Sequence, residues 1–259
     1  MEKAKVELNW LGQMGFLIKT ENTTLCIDYF AMPHESRQKE PPIPMDELRG
    51  VDAFLGTHDH IDHIDHVAWK VWAKTNPDAK FIFPRMHKES VLTDGVSENN
   101  ALGMNEGESV MIGDVTIHAI AAAHEFLDRD PETGLYPSLQ YIIEADGIRI
   151  HHAGDTVRYE GMLPKLQSFG HIDIEILPIN GRDAVKYRRN CIGNMTYQEA
   201  VDLAGEVGCD MVIPGHWDMF ADNSADPKEF ADYLDAKYPG KIKCVIPDVT
   251  EKIVYTDIK

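Results

Sequence analysis

From Thr57 to His66 the chain reads Thr-His-Asp-His-Ile-Asp-His-Ile-Asp-His, which places four imidazoles and three carboxylates within nine residues. Imidazole nitrogens and carboxylate oxygens are the donors that borderline divalent cations accept. Without a cation, so many polar groups at one strand end would be left unpaired. His58 and His60 are two residues apart, so in an extended segment both rings face one side. Asp62 and His63 follow directly and, where the chain turns, offer a second pair of donors to a neighbouring position. Metal ligation is expected for these four residues, against the alternative of a solvated loop in which Asp59 or Asp62 caps a helix. For His66, on the expected first turn of that helix, a supporting or surface role stands beside ligation.

Further donors stand alone at the ends of apolar runs. His124 closes residues 114–125, Asp155 follows residues 148–153 in Gly154-Asp155-Thr156, and His216 follows Pro214-Gly215. A carboxylate at a glycine-loosened strand end can reach two cations, one per oxygen, although Asp155 also fits a helix N-cap. His124 has the alternative of an ordinary loop histidine. Asp28, at the end of another apolar run, either orients a ligand or caps a turn. His118 falls mid-strand and is expected to be structural. His151 and His152 must face opposite ways on a regular strand, so at most one points at the site. Arg182, Lys186, Arg188 and Arg189, with Tyr187 among them, form the main basic segment. Guanidinium groups bind phosphate in bidentate fashion, which makes this a candidate anion clamp; a solvated loop paired with surface carboxylates is the alternative.

The elements that must hold these donors are readable from periodicity and turn chemistry. An antiparallel meander is expected over residues 6–11, 15–19 and 25–30, then a Pro-rich surface loop over residues 31–47. A buried strand over residues 51–56 leads into the histidine cluster and a helix to about Lys74. Residues 81–84 form a short strand and residues 86–92 a short helix. Asp146-Gly147 between two apolar runs is a type I′ hairpin signal. A strand is expected over residues 172–180. Thr196-Tyr197-Gln198-Glu199 is a capping box, and its helix ends at Gly208. A strand over residues 210–214, a helix from Asp226-Pro227 through Leu234, and closing strands over residues 241–255 complete the chain. Strand and helix alternate after the meander, so a sheet with outer helical cover follows.

A length of 259 residues without repeat, low-complexity tract or polar linker fits one domain, 1–259, with an ample core. The net charge of −18, from 43 acidic and 25 basic residues, works against a polyanion, so no nucleic-acid partner is expected. No apolar run is long enough to cross a bilayer, and Met1-Glu2-Lys3-Ala4-Lys5 leads into the first strand without an apolar signal region. A cytoplasmic protein without a membrane partner is expected. Cys26, Cys191, Cys209 and Cys244 are widely spaced, with no C-x-x-C pair, and are expected to be reduced thiols.

Taken in order, His58-x-His60-x-Asp62-His63, His124, Gly154-Asp155-Thr156 and Pro214-Gly215-His216 resemble the metallo-β-lactamase superfamily over nearly the whole chain. The Thr57–His60 motif with Asp62-His63-Ile64-Asp65, Gly193-Asn194-Met195-Thr196 and Ala225-Asp226-Pro227 look like its L-ascorbate-6-phosphate lactonase branch. The resemblance implies an α/β protein built as an αββα sandwich, two mixed sheets face to face with helices outside. It implies His58, His60 and His124 on one metal, Asp62, His63 and His216 on another, Asp155 bridging, and a homo-oligomer. Two divalent ions, Mn2+ or Zn2+, would lower the pKa of bound water from 15.7 toward roughly 7 for attack on a lactone carbonyl. Asp62 would accept or relay the proton, and Arg182, Tyr187, Arg188 and Arg189 would hold the phosphate of a small phosphorylated substrate. A metal-dependent phosphodiesterase and a non-catalytic metal-binding scaffold are the competing readings.

Overall fold

The computed structural model describes residues 5–256; the start of the chain, residues 1–4, on which the reading of the amino terminus rests, lies outside them. The meander forms as β1 (Lys5–Gly12), β2 (Gly15–Lys19) and β3 (Thr24–Ile27). Parallel strands β4 (Ala53–Leu55), β5 (Lys80–Pro84) and β6 (Ala101–Met104) extend the sheet beyond β3. The second sheet begins with antiparallel β7 (Ser109–Ile112), β8 (Val115–Ala121), β9 (Leu139–Ala145) and β10 (Ile148–His152). Parallel β11 (Ile174–Pro178), β12 (Met211–Gly215) and β13 (Lys243–Cys244) complete it. The last strand, β14 (Lys252–Thr256), returns to pair with β1. The closing strands therefore divide between the sheets, whose orders are β14-β1-β2-β3-β4-β5-β6 and β13-β12-β11-β10-β9-β8-β7.

Three apolar layers hold the sandwich. Val6, Leu8, Trp10, Ile27 and Leu55 from the first sheet meet Ile117, Tyr141, Ile150, Ile176 and Ile213 from the second between the sheets. On the outer face of the first sheet, Trp69 and Trp72 of α1 (His66–Thr75) pack on Phe54 and Phe81, with the Phe54 and Trp72 rings stacked at 4.7 Å. Near β6 lies a short helix, α2 (Lys88–Thr93). Against the second sheet lie α3 (Met162–Gln167), α5 (Tyr197–Val207) and α6 (Pro227–Lys237), while α4 (Ala184–Arg188) is exposed. The architecture is the αββα sandwich implied by the resemblance.

Local chemistry explains the well-defined boundaries. Asp146 and Gly147 both take positive φ, at 52° and 82°, as a type I′ turn requires. Thr196 and Glu199 close the capping box of α5, and Gly208 ends it in the left-handed conformation at φ 77°. β6 and β7 are short strands with weak alternation and were not expected from sequence; pairing with β5 and β8 makes them strands. The α3 helix was likewise unexpected, because it is only six residues long and no side-chain cap precedes it.

Candidate metal centre

Every donor expected at the site sits just beyond the C-terminal end of a strand, and these ends meet at one edge of the sandwich. His58, His60, Asp62 and His63 follow β4, His124 follows β8, Asp155 follows β10 and His216 follows β12. Two devices shape the histidine loop. The loop backbone bridges to the second sheet, with Leu139 N–H donating to Thr57 O at 2.9 Å. The turn closes when His63 and Ile64 N–H donate to His60 O at 3.0 and 2.9 Å. Gly56 is required where Ile64 folds back, since a Cβ there would overlap the Ile64 side chain. Asp65 then caps α1, one oxygen accepting from Val67 and Ala68 N–H and the other from Ala31 and Met32 N–H.

The donor atoms fall into two groups. In the first, His58 Nε2 lies 2.9 Å and His124 Nε2 3.2 Å from His60 Nδ1. The second contains Asp62, His63 and His216, with His63 Nε2 at 3.5 Å and His216 Nε2 at 3.7 Å from Asp62 Oδ2. Asp155 lies between them. Its Oδ1 is 3.3 Å from His63 Nε2, and its Oδ2 is 3.2 Å from His216 Nε2 and 3.8 Å from His124 Nε2. His58, Asp62, His63, Asp155 and His216 are buried, while His60 is exposed.

Electrostatics bear on whether a cation fits this arrangement. Burial, reinforced by the neighbouring His63 and His124, holds His58 well below the ordinary imidazole range, and burial brings His124 down to about 4. Both rings are neutral near pH 7 and keep lone pairs for a ligand. His63 behaves oppositely: burial opposes its charge, yet Asp155, Asp28 and Asp62 together outweigh burial and push it well above the usual range. His216 is raised in the same way, against burial, by Asp155 and Asp62. Burial favours the protonated form of both Asp155 and Asp62, but the surrounding histidines prevail and hold both carboxyls below the usual range. His63 Nε2 and Asp155 Oδ1 are buried without a hydrogen-bond partner. Buried polar atoms of this kind are costly unless something satisfies them, and a divalent cation satisfies donors of this set. The residues present fit such an ion.

The orientation of His63 is fixed from behind. Asp28 Oδ2 accepts from His63 Nδ1–H at 2.7 Å and from Thr57 Oγ1–H at 2.7 Å, and Oδ1 accepts from Thr57 N–H at 2.8 Å. Asp28 therefore orients a donor rather than capping a turn, and it leaves His63 Nε2 facing the cluster. His66 lies outside both groups, held between Asp94 and Asp59 Oδ1, the latter at 2.6 Å. His151 bonds Glu175 and Gln140, and His152 donates to Met14 O, so neither joins the cluster.

The residues of the basic segment do not act as one group. Arg182 makes a bidentate pair with Glu199, at 2.6 and 2.7 Å, and also donates to Asn194 O, which commits it to bracing α5. Lys186 donates to Asn180 O. Tyr187, Arg188 and Arg189 are exposed on or just after α4, and Arg189 pairs with Asp222 at 3.0 Å. The cavity over the metal donors, of about 340 Å³, is walled instead by Asn190, Cys191, Ile192, Phe220 and Asn223. Sequence reasoning missed these residues, which carry no motif, and it missed Gln13 in the β1–β2 turn, whose Nε2 is 2.9 Å from Asp62 Oδ2. Gln13, Asp28, Asn190 and His216 all hold positive φ, between 46° and 59°. Such backbone conformations cluster at functional sites.

Fold and donor set together define a metal-dependent hydrolase of the metallo-β-lactamase type. The chain belongs to the β-lactamase superfamily domain family, whose profile matches residues 24–217. It is similar to a UPF0173 metal-dependent hydrolase of Pyrococcus furiosus, 28% identical, with 90% of this chain and 93% of that protein covered. It is also similar to the probable L-ascorbate-6-phosphate lactonase of Salmonella paratyphi B, 27% identical, with 85% of this chain and 72% of that protein covered. Among solved structures it shares its fold with Igni18, a metallo hydrolase from Ignicoccus hospitalis. That match has a TM-score of 0.74 at 22% identity, covering 98% of this chain and 100% of the other. Among the described residues, no helix is long and apolar enough to cross a membrane.

Proposed function

We propose that this protein is a two-ion hydrolase that opens the ester ring of a phosphorylated sugar lactone. The observation that carries the reading is Asp155, buried between the two donor groups with one oxygen toward His63 and the other toward His216 and His124. His58, His60 and His124 would hold one ion, Asp62, His63 and His216 the other, and Asp155 both. Bound Mn2+ or Zn2+ would supply Lewis acidity and bring the pKa of a water nucleophile toward roughly 7. Asp62, at the cavity wall, would take up the proton of that water and pass it on. Asn190 and Asn223 offer amides to ring hydroxyls, and Ile192 and Phe220 shed water from the carbon face of the ring. Arg188 and, by exchange of its exposed Asp222 partner, Arg189 would supply cations to a substrate phosphate; Arg182, held by Glu199 and Asn194 O, would not. Similarity to the Salmonella lactonase supports the choice of a lactone over other esters.

The test is proton release at constant pH from manganese- or zinc-loaded protein given L-ascorbate 6-phosphate and, in parallel, the unphosphorylated lactone. Fast turnover of the phosphorylated compound alone supports the reading. Turnover of neither, with cleavage of an aryl phosphodiester, would replace it with a phosphodiesterase.

A further inference from the structure

Gln13 occupies the tight turn between β1 and β2 and is fully buried. Its backbone is fastened on both sides to the segment after β12. Gln13 N–H donates to Asp218 Oδ1 at 2.9 Å, and Gln13 O accepts from His216 N–H at 3.1 Å and from Trp10 Nε1–H at 3.1 Å. The left-handed backbone at φ 55° is thereby held in place, and the side chain reaches the second donor group. There Nε2 lies 2.9 Å from Asp62 Oδ2 and 3.0 and 3.2 Å from the two ring nitrogens of His216.

The chemistry fixes which end of the amide faces Asp62. An ionised carboxylate only accepts, so the amide nitrogen must face it; the opposite orientation would set two oxygens against each other. That leaves Oε1 buried without a hydrogen-bond partner, as are His63 Nε2 and Asp155 Oδ1 nearby. The protein thus supplies the amide N–H to the donor group at the expense of a protein partner for the amide oxygen.

We propose that Gln13 is a positioning residue for the second metal position: its amide N–H fixes the rotamer of Asp62 and braces the His216 ring, setting ion affinity at Asp62, His63 and His216 without governing the His58, His60 and His124 position. The inference rests on the two-ion reading above. It predicts a role confined to one of the two ions.

The experiment measures Mn2+ affinity by chelator competition in two backgrounds that separate the positions. His60→Ala removes a donor found only in the first group, and His216→Ala one found only in the second. Gln13→Met is introduced into each, together with Gln13→Asn, which keeps an amide N–H donor on a side chain one methylene shorter. Hydrogen-bond partners of metal ligands typically change affinity about 10- to 100-fold. In the His60→Ala background, Gln13→Met is expected to weaken Mn2+ binding about 10- to 100-fold, with partial recovery in Gln13→Asn. In the His216→Ala background the change should stay under about threefold. Unchanged affinity in the first background would overturn the proposal. Equal losses in both backgrounds, with a matching fall in the melting temperature of ion-free protein, would also overturn it in favour of a scaffold role. A parent chain that binds fewer than two ions would instead refute the two-ion reading itself.

Discussion

Asp28→Asn changes one buried atom and should remove one metal donor. Asp28 Oδ1 accepts from Thr57 N–H, so the amide oxygen of the new asparagine must stay on that side. Its NH2 then faces the Thr57 hydroxyl and His63 Nδ1, where Oδ2 now accepts two hydrogen bonds of 2.7 Å. To avoid opposing N–H groups, His63 must turn its Nδ1 lone pair toward the amide and carry its proton on Nε2, the nitrogen that faces Asp155 and Asp62. In that tautomer the ring no longer offers a donor to the ion. Loss of an outer partner costs about 10- to 100-fold in metal affinity, and a tautomer switch places the effect at the upper end, about 100-fold. At 1.4 kcal/mol per tenfold this is about 2.8 kcal/mol. The two hydrogen bonds to a buried carboxylate become weaker ones from a neutral amide, so ion-free protein should be about 1.5–3 kcal/mol less stable. Competition titration with a chelator at pH 7.5 reads the first quantity, and urea denaturation of ion-free protein the second. An ion affinity within threefold of the parent would refute the claim that Asp28 sets the His63 tautomer.

His60→Ala should reduce ion content from two per chain to one, because Asp62, His63 and His216 remain intact, whereas Asp155→Ala should remove both; elemental analysis after loading separates the cases. His66 is raised to about 9 by its hydrogen bonds to Asp59 and Asp94, so its charged pairs contribute stability in full below the unfolded value of roughly 6.5. That contribution is lost as pH rises through about 9, and the difference between parent and His66→Asn in urea midpoint should shrink over this interval. Arg182→Ala should lower stability by about 0.5–1 kcal/mol through loss of the Glu199 pair while leaving KM for a phosphorylated lactone unchanged. Arg188→Ala with Arg189→Ala should raise that KM severalfold with stability intact.

The donors were legible because each is a polar residue stranded at the end of an apolar strand, and period-two patterning reveals such strands without knowledge of the fold. The Asp146-Gly147 turn and the α5 capping box were legible for the same reason: each is a local rule with a local consequence. What stayed hidden depends on distant contacts. Gln13 reaches Asp62 across 49 positions, and Arg182 meets Glu199 across 17. No local signal shows that Arg182 is already committed to a carboxylate on α5. The cavity wall is set by how the segments after α4 and β12 converge, and Asn190, Cys191 and Phe220 carry no spacing rule. β6 and β7 are strands by pairing alone.

The most direct test of the two-ion centre is native mass spectrometry of the chain loaded with manganese and freed of excess ion. A mass corresponding to two ions per chain, reduced to none in Asp155→Ala, is expected. A parent that retains one ion or none, or an Asp155→Ala variant that still holds two, would contradict a centre bridged by Asp155.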